Sequence, residues 1–198
     1  FEITPDYDLD LMKPNQNLYN LTGEIINGLK AVLEEFTPDF VFVHGDTTTT
    51  MAASIAGFYS GAKVCHVEAG LRTFNKYAPF PEEINRSIAG RIAEYHFVPT
   101  EQSKQNLLDE NIAEDRILVT GNTVIDALLY GVEKVKNIDN AQINMLKKLV
   151  NPNKDLILVT GHRRENHGDG FLNICKALKE IASENNVQII YPVHLNPN

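Results

Sequence analysis

Acids, imidazoles and arginines collect at a few polar corners of this chain: His44-Gly45-Asp46-Thr47, Glu68-Ala69-Gly70-Leu71-Arg72-Thr73, Pro81-Glu82-Glu83-Ile84-Asn85-Arg86, Gly161-His162-Arg163-Arg164 and Pro192-Val193-His194. Carboxylates gathered at one place suit proton transfer, because burial or a neighbouring charge can tune each toward acid or base. An imidazole beside two arginines suits phosphate oxygens, which take charge-assisted hydrogen bonds. Each corner also has a plainer use. Asp46 would cap a helix opening at Thr47. Glu68, between Val67 and Ala69, needs a partner if buried, and Arg72 is the candidate. Glu82 and Glu83 after Pro81 would offset a helix dipole. His162-Arg163-Arg164 would be a solvated basic corner. His44, His66 and His96, flanked by strand-type residues, would be satisfied core histidines, and His194 is open between the two uses.

The elements that must hold these corners follow from the apolar pattern. Short runs rich in β-branched and aromatic residues recur: 40–43, 64–67, 95–98, 117–119, 156–159 and 187–191. They mostly do not alternate, which is how parallel strands covered on both faces read. Between them lie helical stretches. Leu18, Leu21, Ile25, Leu29, Val32 and Phe36 step by three or four, which makes one face of a helix. Further helices are predicted over 47–59, 82–94, 102–111, 123–149 with a break near 137–140, and 171–183. Alternating strand and helix predicts parallel α/β architecture of Rossmann type. In such sheets ligands bind beyond the carboxyl ends of the strands, and the unusual residues fall at those ends. Gly121-Asn122 is the expected domain junction, giving domains 1–121 and 122–198. Pro79-Phe80-Pro81 would stiffen the loop that aims Glu82 into a cleft.

Composition narrows the function classes. The 198 residues carry 26 acidic and 18 basic side chains, a net charge of −8. No overall positive field draws in phosphates, so nucleic acid and acidic membranes are not expected partners. No apolar run approaches the ~18 residues of a membrane span, and the first ten residues are neither basic nor apolar enough for a signal peptide. A cytoplasmic protein is expected. Cys65 and Cys175 lie far apart among apolar neighbours and read as small core side chains. Neither a dinucleotide nor a P-loop fingerprint occurs, and there is no nucleophile elbow.

The ordered set His44-Gly45-Asp46-Thr47-Thr48-Thr49, His66-Val67-Glu68-Ala69-Gly70-Leu71-Arg72-Thr73, Pro81-Glu82-Glu83-Ile84-Asn85-Arg86, Thr120-Gly121-Asn122-Thr123-Val124-Ile125-Asp126, Gly161-His162-Arg163-Arg164-Glu165-Asn166 and Pro192-Val193-His194-Leu195-Asn196-Pro197 resembles the bacterial non-hydrolysing UDP-N-acetylglucosamine 2-epimerases. The resemblance spans essentially the whole chain. It implies two Rossmann-type domains facing a cleft, GT-B-like and only partly present here. The family's opening strand with its Gly-Thr-Arg-Pro-Glu loop is missing, as is the later segment that grips the uridine, so this chain alone is not expected to be active.

The resemblance further implies reversible epimerisation of UDP-N-acetylglucosamine to UDP-N-acetylmannosamine through a 2-acetamidoglucal, with no redox cofactor and no metal. Asp46, Glu68 and Glu82 match the family's carboxylates, and His162 matches its histidine near the UDP phosphates. Asp46, Glu68 and His162 would also touch substrate. Glu82, Arg163 and His194 match a second UDP-N-acetylglucosamine site used for allosteric activation. A homodimer serving cell-envelope polysaccharide synthesis is the implied setting. Two other enzymes compete: a hydrolysing epimerase releasing free N-acetylmannosamine, and a metal-dependent phosphoesterase built on Gly45-Asp46, Gly121-Asn122 and Gly161-His162. Arginines beside His162 speak against the second, because they would repel a metal. A non-catalytic fragment that binds nucleotide weakly is the third alternative.

Overall fold

The computed structural model describes residues 3–161 and 169–192. The chain forms two compact units, residues 1–132 and 133–198. In the first, α1 (Leu18–Phe36), β1 (Phe40–His44), α2 (Thr48–Tyr59), β2 (Lys63–Val67), α3 (Glu82–Ile92), β3 (Tyr95–Val98), α4 (Glu101–Asp109) and β4 (Ile117–Val119) follow in turn, with a short 3₁₀ turn at Glu114–Arg116. The strands pair in the order β1-β2-β3-β4, all parallel. Helix α5 (Thr123–Lys136) starts just after Gly121-Asn122, and the division between units falls within it. The second unit carries α6 (Ala141–Leu149), β5 (Asp155–Leu158), α7 (Asp169–Glu184) and β6 (Val187–Ile190), with β5 and β6 parallel.

Local chemistry explains the boundaries. Asn17, Thr47, Thr100 and Asn140 each accept a backbone N–H with their side chains and so start α1, α2, α4 and α6. The predicted break near 137–140 is the gap that Asn140 closes by capping α6. Thr47 takes the cap of α2, which leaves the Asp46 carboxylate free of the capping role open to it from sequence.

The core of the first unit lies on one face of the sheet. Gly57 of α2 sits against Val41 and Val64, where an added Cβ would come within 3.3 Å of both. Ala69, Val98, Leu107 and Ile117 form a buried cluster between α4 and the strands. The other face carries aromatic side chains. Phe42 is 65% exposed and stacks on Phe97, and Phe40 tilts against Tyr95. In the second unit Cys175 is exposed, contrary to the core reading, because α7 turns Ile174 and Leu178 inward instead. Cys65 is buried as expected.

Candidate active site

The parallel register sets the geometry. His44 pairs with Val67, so Asp46 and Glu68 emerge just past the carboxyl ends of neighbouring strands. Backbone bonds fix this corner: Gly45 donates its N–H to the Val67 carbonyl at 2.9 Å, and the Thr50 hydroxyl donates to the His44 carbonyl at 2.5 Å. His66 Nε2 meets the Gly45 carbonyl at 2.7 Å. Gly45 takes φ 71°, a left-handed value that costs glycine nothing.

Asp46 is held from α3. The Asn85 side chain donates to the Asp46 carbonyl at 3.0 Å, and Arg86 Nη2 lies 3.6 Å from Asp46 Oδ2. Arg86 is itself buried and pairs with Glu83 one helical turn earlier, Nε to Oε2 at 3.2 Å. Glu83, 3% exposed, also accepts the backbone N–H groups of Thr73 and Phe74 at 3.0–3.1 Å. These donors satisfy the buried carboxylate, which would otherwise be costly to bury. Of the two consecutive acids, Glu83 thus enters the protein. Glu82 is half-buried at the start of α3, and among the described residues its carboxylate meets no hydrogen-bond or ion-pair partner.

Glu68 adopts φ 62°, a left-handed conformation that is uncommon for a non-glycine residue. Its carboxylate meets His44 Nε2 at 3.1 Å, with the His44 side chain 60% exposed. An exposed pair of this kind is worth ~0–1 kcal/mol. Arg72 is not the partner of Glu68. Its guanidinium takes Glu110 in a two-bond clasp, 2.6 and 2.8 Å, with the arginine almost wholly buried. Gly90 leaves the room this needs, since a Cβ there would stand 3.2 Å from Arg72 Nη2.

His66 and His96 are buried side by side on β2 and β3. They are core histidines but not fully satisfied ones: among the described residues, His66 Nδ1 and both ring nitrogens of His96 lack partners in hydrogen-bond geometry. Burial lowers both pKa values, His96 to about 4, and the neighbouring positive charge of Arg72 pushes the same way. The Ala93 backbone pulls His96 in the opposite direction without reaching hydrogen-bond alignment. His162, Arg163 and His194 lie outside the described residues.

The described residues therefore tie Asp46 to the first turns of the helix that Glu82 opens, and set Glu68 at the adjacent strand end. A surface hollow of about 650 Å³ lies elsewhere, at the amino-terminal end of β1, lined by Thr37, Asp39, Phe40, Tyr59 and Lys63, and contains none of these acids. Glu83 and Arg86 were visible from sequence only as an i, i+3 acid–base pair on a predicted helix. Nothing in the sequence marked Glu83, rather than Glu82, as the inward acid.

Comparison with known proteins decides the family. The family model described as UDP-N-acetylglucosamine 2-epimerase matches residues 1–198. The chain belongs to this family. A UDP-N-acetylglucosamine 2-epimerase of Salmonella typhimurium is 58% identical over 201 residues, covering 100% of this chain and 54% of that protein. The Escherichia coli protein of the same name is 55% identical with the same coverage. Among solved structures, the Neisseria meningitidis UDP-GlcNAc 2-epimerase bound to UDP-GlcNAc superposes with a TM-score of 0.89 at 50% identity, covering 99% of this chain and 53% of that one. The Staphylococcus aureus protein MnaA in complex with UDP gives 0.85 at 42% identity, with 99% and 50% coverage. The chain spans about half the length of the curated relatives it matches. The α/β architecture with parallel sheets is shared with these epimerases. No described helix is long and apolar enough to cross a membrane.

Proposed function

We propose that the protein built on these residues interconverts UDP-N-acetylglucosamine and UDP-N-acetylmannosamine at sugar C2 without releasing free sugar. The supporting observation is the placement of acids at one end of a parallel sheet: Asp46 bound to α3 through Arg86 and Asn85, Glu82 at the start of that helix, and Glu68 at the end of the next strand. A relative half identical to this chain holds UDP-GlcNAc.

The hydrogen on C2 is too weakly acidic to be removed and returned directly. Elimination solves this. A carboxylate takes the C2 proton, the C–H electron pair forms the C1–C2 double bond, and the anomeric C–O bond breaks toward the departing UDP. Protonation of C2 from the other face, with return of the UDP oxygen to C1, completes the exchange. The reaction is redox-neutral and asks the protein for acids and bases on two faces and for a cation at the leaving group.

Asp46, Glu68 and Glu82 take the proton-transfer roles, with Asp46 and Glu68 against the sugar. His162 takes the leaving diphosphate. Glu82, Arg163 and His194 belong to a second nucleotide-sugar site that activates the enzyme. The working form is a homodimer with domains 1–121 and 122–198, serving polysaccharide synthesis.

The deciding experiment runs a full-length protein carrying this sequence in D₂O with UDP-N-acetylglucosamine. Deuterium at C2 of a UDP-linked N-acetylmannosamine product is expected, and Asp46→Asn abolishes it while the fold persists. Free N-acetylmannosamine as the sugar product would instead identify the hydrolysing reaction. Undiminished exchange in Asp46→Asn removes Asp46 from the proton-transfer set.

A further inference from the structure

His44 is an imidazole for which the fold has no evident use. Its backbone is fixed without it: the Thr50 hydroxyl holds the His44 carbonyl, and Gly45 bonds to Val67 and His66 on either side of its peptide. The side chain itself is 60% exposed and, among the described residues, makes one polar contact, 3.1 Å to Glu68 Oε2. Glu68 in turn holds a left-handed backbone conformation to stand there. Left-handed backbone at a residue other than glycine is uncommon and clusters at functional sites. The contact therefore joins an exposed imidazole, whose two ring nitrogens can take a proton on one side and give one up on the other, to a carboxylate at the strand ends.

We propose that His44 serves the reaction through Glu68, carrying the proton that this carboxylate takes up or gives out between Glu68 and bulk water. The inference rests on the proton-transfer reading of Glu68 given above. The step balances simply. A Glu68 carboxyl group passes its proton to Nε2, leaving a carboxylate and an imidazolium, and the imidazolium releases a proton from Nδ1 to water. The reverse order recharges the acid. Each turnover leaves both faces of C2 in the wrong protonation state for the next substrate of the same kind, so a route to solvent is part of the chemistry and not an ornament to it. His44 is a positioning and relay residue here, since it need not touch the sugar.

The test uses a full-length protein carrying this sequence and three variants. His44→Gln keeps a hydrogen-bond donor for Glu68 but cannot relay a proton. His44→Ala removes the contact and leaves space for added imidazole. Glu68→Gln tests the underlying reading. Both His44 variants are expected to lose roughly 10- to 100-fold in kcat, with KM and the thermal midpoint nearly unchanged and C2 deuterium incorporation falling in step with kcat. Imidazole in the buffer restores part of the rate to His44→Ala. Wild-type kcat in His44→Gln overturns the relay, as does a loss in His44→Ala that imidazole leaves untouched. If Glu68→Gln keeps full C2 exchange, the reading of Glu68 falls and the relay with it. If Glu68→Gln abolishes exchange while both His44 variants retain wild-type kcat, only the relay falls.

Discussion

Arg86 Nη2 stands 3.6 Å from Asp46 Oδ2, joining the corner after β1 to the first turns of α3. The arginine reaches that position because Glu83 holds its other edge. The chain from the Thr73–Phe74 backbone through Glu83 and Arg86 to Asp46 is continuous, and its two central members are buried.

Breaking a buried pair strands its partner, at a cost of about 3 to 5 kcal/mol. Glu83→Ala is expected to cost that much in urea unfolding of this chain, because Arg86 and two backbone N–H groups lose their acceptor. Glu83→Gln keeps an acceptor and costs less. A loss below about 1 kcal/mol in the alanine variant would contradict the clamp.

Acid weakens the fold through the buried histidines. His96 titrates at about 4 when folded and near 6.5 when exposed, so below 6.5 the unfolded chain binds the extra proton and stability drops as pH falls toward 4. One pH unit of separation is worth ~1.4 kcal/mol, which gives a loss of about 3 kcal/mol across that window, with His66 adding in the same direction. Denaturation midpoints at pH 7.5 and 4.5 measure it. His96→Leu should narrow the gap between them; an unaltered gap would assign the acid sensitivity elsewhere.

Gly70 tolerates no side chain. It sits at φ 81°, and a Cβ there would lie 2.3 Å from the Ser103 carbonyl oxygen of α4. Gly70→Ala combines backbone strain with overpacking and should destabilise by at least ~2 kcal/mol. Thermal unfolding reads this directly, and a midpoint equal to wild type would mean the loop does not press on α4 as described.

The two cysteines should separate in reactivity. Cys175 is exposed, whereas Cys65 is buried and its thiol pKa is raised, by burial first and then by Glu94. A thiol reagent under native conditions is expected to label Cys175 quickly and Cys65 only after denaturant is added. Equal rates would place Cys65 nearer the surface than the structure has it.

Much of this arrangement was legible in the chain itself. The strands show because β-branched runs bounded by polar corners have few other uses, and the helices because Leu18 to Phe36 repeats at the α-helical period. The corners carrying Asp46 and Glu68 were placed by the parallel-sheet rule alone. Partner choice was not legible. Arg72 is four residues from Glu68, yet it clasps Glu110 from 38 positions away, because the loop after β2 runs over the end of α4. The His44–Glu68 contact depends on strand register, which no local pattern records.

The left-handed backbone at Glu68 sets heat tolerance against the proton-transfer role proposed for its carboxylate. Glycine would relax that residue at once, so selection for robustness alone would favour Glu68→Gly and discard the carboxylate with the strain. Stabilising this protein by sequence averaging or directed evolution therefore calls for holding position 68 fixed.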